Sequence, residues 1–397
     1  MPEERIVSLF KPEQIEENKQ SISKKKVKKV AFFCMSIAMW KYETVFKKLL
    51  EEDGFEPIVI ISPSQRLSIT QRKKDYREIV NYCREKGFPF IALRSILFNV
   101  GQNIGKQKID FVFFTQPYNG ITCKEYQYEN FKNSLLCYVP YDDGILTSEF
   151  SYNSILHKIA WKLFYPYSIQ KTIAESYGQI RDNINITGPC CYDIYKITKM
   201  KNWGTPKKKI IWAPHHSILA DDWLHFSCFL EISDYMLDLA EKYKDKIFII
   251  FKPHPMLMPQ LGKLWGHERA NAYYAKWNNL ENGMYCNSAS FPLFKESDAL
   301  IHDCSSFTMD YMMTGKPCLY LLIRGTHKQN FIEPAKDAFN AHYHAFKKED
   351  ISGFIETVVI NGNDCMKEDR ETVLKKWFIN NDGQSATAKI VETLKSI

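Results

Sequence analysis

The chain has 397 residues, of which 45% are hydrophobic and 25% charged, with 17 Gly and 17 Pro. That is a globular composition, and it excludes a disordered or fibrous chain. At roughly 100 to 200 residues per domain the length predicts two or three domains. The balance of 53 basic against 46 acidic side chains leaves a net charge of +7, which welcomes anionic partners without choosing among membrane lipid, phosphorylated substrates and nucleic acid. Eleven cysteines are scattered with no C-x-x-C pair, which argues against a zinc site or a disulfide framework and for a reducing cytoplasm.

Residues 1–26 are charged and short of large apolar side chains, and read as a basic N-terminal arm or a peripheral helix. Next, Lys24, Lys25, Lys26, Lys28 and Lys29 precede the apolar run Val30 to Trp40 in the order of a signal peptide. More than twenty polar residues stand before that run, however, and no small-residue cleavage site follows it. It is also about half of the ~20 residues that a membrane-spanning helix needs, so a buried first strand is the better reading.

From Val30 onward short apolar runs alternate with longer amphipathic stretches. Val30–Cys34, Pro57–Ile61, Phe90–Leu93 and Asp110–Thr115 read as strands. Tyr42–Glu52, ending at Gly54, and Arg72–Lys86, closed by Gly87, read as helices. This is the rhythm of βαβ units and a parallel sheet. Leu156–Gln170 interleaves Lys158 and Lys162 with Ile159, Trp161, Leu163, Phe164 and Tyr165, and fits either a lipid-interface segment or a core helix. The Lys-rich stretch from Lys196 to Lys209, broken at Gly204-Thr205-Pro206, marks a domain boundary near residue 200. Beyond it the alternation restarts with strands at Ile210–Ala213, Ile247–Phe251, Ala299–His302 and Cys318–Ile323. Helices are expected at Asp222–Tyr243 and Ser305–Thr314. The expected domains are therefore 27–200 and 201–370, with closing helices at 371–397.

In an open parallel sheet ligands collect beyond the carboxyl ends of the strands. Three polar segments stand there: Pro214-His215-His216-Ser217, Lys252-Pro253-His254-Pro255, and Asp303-Cys304-Ser305-Ser306 with Asp310 beyond. A serine-capped helix start exposes first-turn N–H groups suited to phosphate. The two prolines stiffen the loop around His254, from which its imidazole and Lys252 can reach a diphosphate. His215 and His216 are neighbours on what reads as extended backbone, so only one should enter a cleft, as a donor or a general base. No third metal ligand follows them at a familiar spacing. His342 and His344 read as surface residues.

The run Asp303-Cys304-Ser305-Ser306-Phe307-Thr308-Met309-Asp310, continuing to Lys316-Pro317, resembles the D-x-S-S-x-x-x-D and K-P signature of the CDP-glycerol glycerophosphotransferases. Thr187-Gly188-Pro189 with Asp193 is similar to that family's T-G-x-P-x-x-D segment, and Lys252–Pro255 to its His-Pro loop. The resemblance implies a GT-B architecture, two Rossmann-like α/β domains facing each other across a cleft, with no metal and no cofactor. It implies that Lys252, His254, Asp303, Ser305, Ser306 and Asp310 hold a CDP-polyol donor, and that a glycan or lipid-linked acceptor approaches from the first domain. The family's W-H-G-T segment has no match, Tyr138–Gly144 standing in its place, and its A-P-T-x-R segment is replaced by Ala213–Ser217. The general base then falls to His216 or His215, with Asp143 in reserve.

The expected enzyme is cytoplasmic and peripheral at the inner face of the cell membrane, where an anionic surface can attract it. The alternatives are a sugar-transferring enzyme of the same architecture and a non-catalytic membrane-binding protein. Nucleic-acid binding is not expected, because the basic residues form short clusters rather than a stripe.

Overall fold

A computed structural model describes residues 2–178, 182–200, 202–219, 226–325, 330–380 and 382–397. The chain divides into two compact units, 1–196 with 380–397, and 197–379. The crossover falls within the Lys-rich stretch. The closing segment does not stay together: the Lys367–Trp377 helix belongs to the second unit, and the Ala386–Lys395 helix returns to the first.

The first unit holds seven strands, β1 (Lys28–Cys34), β2 (Phe55–Ile61), β3 (Phe90–Ile91), β4 (Phe111–Phe114), β5 (Leu135–Tyr138), β6 (Lys162–Tyr165) and β7 (Ile184–Ile186). They pair in the order β3-β2-β1-β4-β5-β6-β7, and every pairing is parallel. Phe111–Phe114 and Leu135–Tyr138 are buried at every position, as strands covered on both faces must be. On one face Phe32 stacks on Phe113 and meets Trp40, Tyr42 and Phe46 edge-on. The returning Ala386–Lys395 helix covers the same face through Ile390, Val391 and Leu394.

Two alternatives that the sequence left open are decided here. Residues 1–26 take the peripheral-helix alternative and are not a loose arm: the Glu3–Val7 and Pro12–Ser23 helices and the Ser8–Phe10 turn between them bury Ile6, Phe10, Ile15 and Ile22, and Asn18 donates to the Lys132 carbonyl at 2.9 Å. Their few apolar residues all point inward, so sparse composition was compatible with docking. Leu156–Gln170 is not a lipid-facing segment either. It forms the short Ile155–Ile159 helix and then β6, with Leu163, Phe164 and Tyr165 at most 1% exposed.

The second unit holds β8 (Lys208–Ala213), β9 (Ile247–Phe251), β10 (Gly283–Tyr285), β11 (Ala299–His302), β12 (Cys318–Leu321) and β13 (Tyr343–Ala345), in the order β10-β9-β8-β11-β12-β13, again all parallel. Its core gathers Trp212, Phe229, Phe251 and Trp277. The helix expected from Asp222 is described from Phe229 to Lys242; residues 220–225 lie outside the described residues. Both units are Rossmann-like, and the fold class is α/β of the GT-B type.

Candidate active site

In the second sheet the chain winds outward from β8 to β10 and then returns to place β11 beside β8, with His302 opposite Ala213. This reversal opens a crevice beyond the carboxyl ends of β8 and β11. Asp303, the first residue after β11, lies fully buried beneath that crevice. Its Oδ1 accepts the His215 N–H at 2.6 Å and its Oδ2 accepts the Cys228 N–H at 2.8 Å. Burial pushes its carboxyl up to about 7, against the opposite pull of those two N–H groups. Asp303 was expected among the donor ligands; in the fold both of its oxygens accept backbone N–H groups and hold the loop after β8.

His215, His216 and His254 come together, with ring centroids 4.2 Å apart for His215 and His216, 4.4 Å for His216 and His254, and 5.3 Å for His215 and His254. The expectation that only one of the adjacent pair could enter the site fails because the chain turns after β8: the Ile218 N–H reaches back to the His216 carbonyl at 2.9 Å. The His254 N–H donates to the Pro214 carbonyl at 2.9 Å, tying the proline-stiffened loop to the same turn.

Hydrogen bonds fix two of the three tautomers. The Ser217 N–H donates to His215 Nδ1 at 3.2 Å. Ser217 Oγ accepts from the Phe226 and Ser227 N–H groups and so turns its own proton onto the same nitrogen, 2.8 Å away. In the same way the Met256 N–H donates to His254 Nδ1 at 3.1 Å. Burial first, then the neighbouring rings, lowers His215 to about 2; burial, His216 and Lys252 lower His254 to about 3. Both rings are therefore neutral, with the proton on Nε2. One nitrogen from each of the three rings lies within 4.8 Å of the others, a spacing that could suit a metal, but an Nε2–H is a donor and cannot ligate a cation. The arrangement suits an anion. His215 Nδ1, the lone pair a general base would use, is already engaged by Ser217.

The Ser305–Met312 helix starts at the same crevice. Cys304, not Ser305, occupies the N-cap, and its side chain makes no cap hydrogen bond. Ser305 and Ser306 are the first two residues of the helix, both partly exposed, so their amides and hydroxyls sit at the positive end of the dipole. Asp310 is buried farther along the helix, and the Lys252 ammonium donates to the Ser288 carbonyl at 2.8 Å. Asp143 lies in the first unit at a left-handed φ of 58°, with its carboxylate accepting the Cys191 thiol at 2.9 Å. Sequence reasoning placed Ser217 in the first of the three polar segments but gave it no role, although a serine two residues after a histidine is a local signal. It also misplaced His342, which is buried; His344 is partly buried and stacks on Phe339.

Residues 166–396, more than half of the chain, match the family model described as CDP-Glycerol:Poly(glycerophosphate) glycerophosphotransferase. The chain belongs to this family. This glycerophosphotransferase-family protein is accordingly a transferase, as the serine motif led us to expect. No curated protein matches it. Among solved structures, the wall teichoic acid polymerase TagF aligns at TM-score 0.61 and 12% identity, covering 99% of this chain and 94% of that one. A UDP-GlcNAc 2-epimerase from Neisseria meningitidis bound to UDP-GlcNAc aligns at TM-score 0.54 and 15% identity, covering 93% and 99%. At these identities both show the shared fold.

The family match includes Thr187-Gly188-Pro189 and Asp193, and their geometry is structural. Gly188 has φ 86°, and a Cβ there would meet the Asn380 side chain at 2.8 Å. Asn380 donates to the Thr187 carbonyl at 2.9 Å, and Asp193 accepts the Thr387 N–H at 2.8 Å, at the start of the returning helix.

Proposed function

We propose that this protein transfers glycerol phosphate from CDP-glycerol to a hydroxyl of a cell-surface glycan or lipid-linked acceptor, releasing CMP. The observation that carries the reading is the pairing of two Nε2–H donors, on His215 and His254, with an open helix start at Ser305 and Ser306 in one crevice of a family member. In this reading the acceptor oxygen attacks the β-phosphorus in line, the new P–O bond forms as the bond to CMP breaks, and the hydroxyl proton passes to His216. Charge on the peripheral oxygens is met by donors already in place, so catalysis is positioning and electrostatics. Asp310 at the side of the same helix suits a ribose or polyol hydroxyl.

The test is incubation with a panel of CDP-polyols and nucleotide sugars, with the liberated nucleotide identified. CMP released from CDP-glycerol supports the reading. UDP or GDP released from a nucleotide sugar would replace it with a glycosyltransferase. Ser306→Ala and His254→Ala should each slow CMP release about 10²- to 10³-fold while leaving circular dichroism unchanged, and unchanged turnover in both would remove them from the mechanism.

We place the enzyme in the cytoplasm, against the inner face of the membrane. No helix among the described residues is long and apolar enough to cross a membrane. The first unit exposes Leu97 at 49% and Phe98 at 76% on a chain of net charge +7. Co-sedimentation with anionic but not neutral vesicles, lost in Phe98→Ser, is the expected result.

A further inference from the structure

Behind the helix start lies a second cluster that the proposed transfer does not use. His302 ends β11, Cys318 begins β12 and His342 precedes β13, so three neighbouring strands bring together residues sixteen or more positions apart in the chain. All three are at most 1% exposed. One ligand atom from each, a nitrogen from either ring and the Cys318 sulfur, lies within 4.8 Å of the other two.

Ring nitrogens here lack partners. His302 Nε2 and both ring nitrogens of His342 are buried without a hydrogen bond. Leaving such groups unpaired costs about 1 to 3 kcal/mol each, so an occupant is called for. The His302 ring hydrogen-bonds the Cys304 backbone in the sense that favours a proton on the ring, and its Nδ1 faces Cys304, 3.8 Å from the sulfur. The proton accordingly sits on Nδ1, and Nε2 keeps its lone pair toward the cluster. This reverses the situation of His215 and His254, and it is the outer-shell arrangement that orients a metal-bound imidazole.

Arg370 is held by Asp364 and by the Gly315 carbonyl at 3.1 Å.

We propose that His302, Cys318 and His342 bind one zinc ion, with a water or a fourth protein atom completing a tetrahedron. Two imidazoles and a thiolate are a zinc donor set, and the spread closes onto bonds of about 2.0 to 2.3 Å by side-chain movements of about 1 Å. On binding, the Cys318 thiol gives its proton to water and the sulfur bonds to zinc. The site stands apart from the transferase reading and requires nothing of it.

The test uses full-length protein carrying no histidine tag. After dialysis against a weak chelator, elemental analysis should find one zinc per chain. Exchange for cobalt should give a thiolate-to-cobalt charge-transfer band in the near ultraviolet, absent in Cys318→Ser, and zinc content should fall to background in His342→Gln. If the wild-type protein holds no zinc after incubation with it and develops no such cobalt band, the proposal fails whether or not the variants fold. In that case a buried water is the occupant. A cobalt band that persists in Cys318→Ser would equally overturn the assignment.

Discussion

The two units solve one topological problem with different chemistry. In each, the strand order reverses beside the first strand, between β1 and β4 in the first unit and between β8 and β11 in the second. At the first reversal Gln116 donates to the Met35 sulfur, and the crevice is lined by Phe33, Phe114, Thr115 and Tyr118. At the second, a buried carboxylate draws the loop after β8 inward and three imidazoles meet above it. Of the ten histidines only His157 belongs to the first unit. Shared architecture therefore says where a ligand can bind, while the polar residues at the reversal say which ligand.

The comparison can be broken most forcefully through the cores. Trp212→Ala should cost about 3 to 5 kcal/mol by cavity formation, and Phe32→Ala a similar amount in the other unit. Hydrogen exchange should localise each loss to its own sheet, and a loss spread evenly over both would deny that the cores are independent. Next in size, His254→Ala should slow CMP release about 10²- to 10³-fold, the scale of one lost donor to a developing charge, whereas Gln116→Ala at the first reversal should slow it far less. Steady-state kinetics with CDP-glycerol decide this.

Asp303→Asn keeps one acceptor but turns an NH₂ toward a backbone N–H, and should cost about 1 to 3 kcal/mol in denaturant melts while CMP release falls through misplacement of His215. The smallest effect is on pH. His215 and His254 stay neutral in the fold down to about 2 and about 3, against an ordinary value of 6.5, so unfolding takes up protons below 6.5 and stability falls as the pH drops toward 3. Asp303, raised to about 7 from 3.8, acts oppositely, adding stability as the pH falls from 7 toward 4. The buried His157 and His302, each lowered to about 3, act in the same direction as His215 and His254, so the balance is a net acid destabilisation, which Asp303→Asn should deepen; melting temperatures at pH 7 and pH 5 measure both.

Much of the fold was legible because parallel strands buried on both faces must be continuous apolar runs. Phe111–Phe114, Ile247–Phe251 and Ala299–His302 declare themselves in this way. The N-terminal helices did not, because docking there depends on a few residues, among them Ile6, Phe10 and Ile15, meeting a surface that composition does not describe. Leu156–Gln170 was ambiguous for a related reason: flanking lysines suit a lipid interface as well as the rim of a sheet.

By itself, the sequence determined the strand rhythm, the serine motif with its family, and the three loops worth inspecting, all of them local patterns of a few residues. Only the tertiary structure decided that both Asp303 oxygens accept backbone N–H groups, that His215 Nδ1 is engaged by Ser217, that the last helix returns to the first unit, and that His302, Cys318 and His342 share one buried spot. Those outcomes depend on which distant groups a closed sheet brings within hydrogen-bonding range, and on the water it removes from around them.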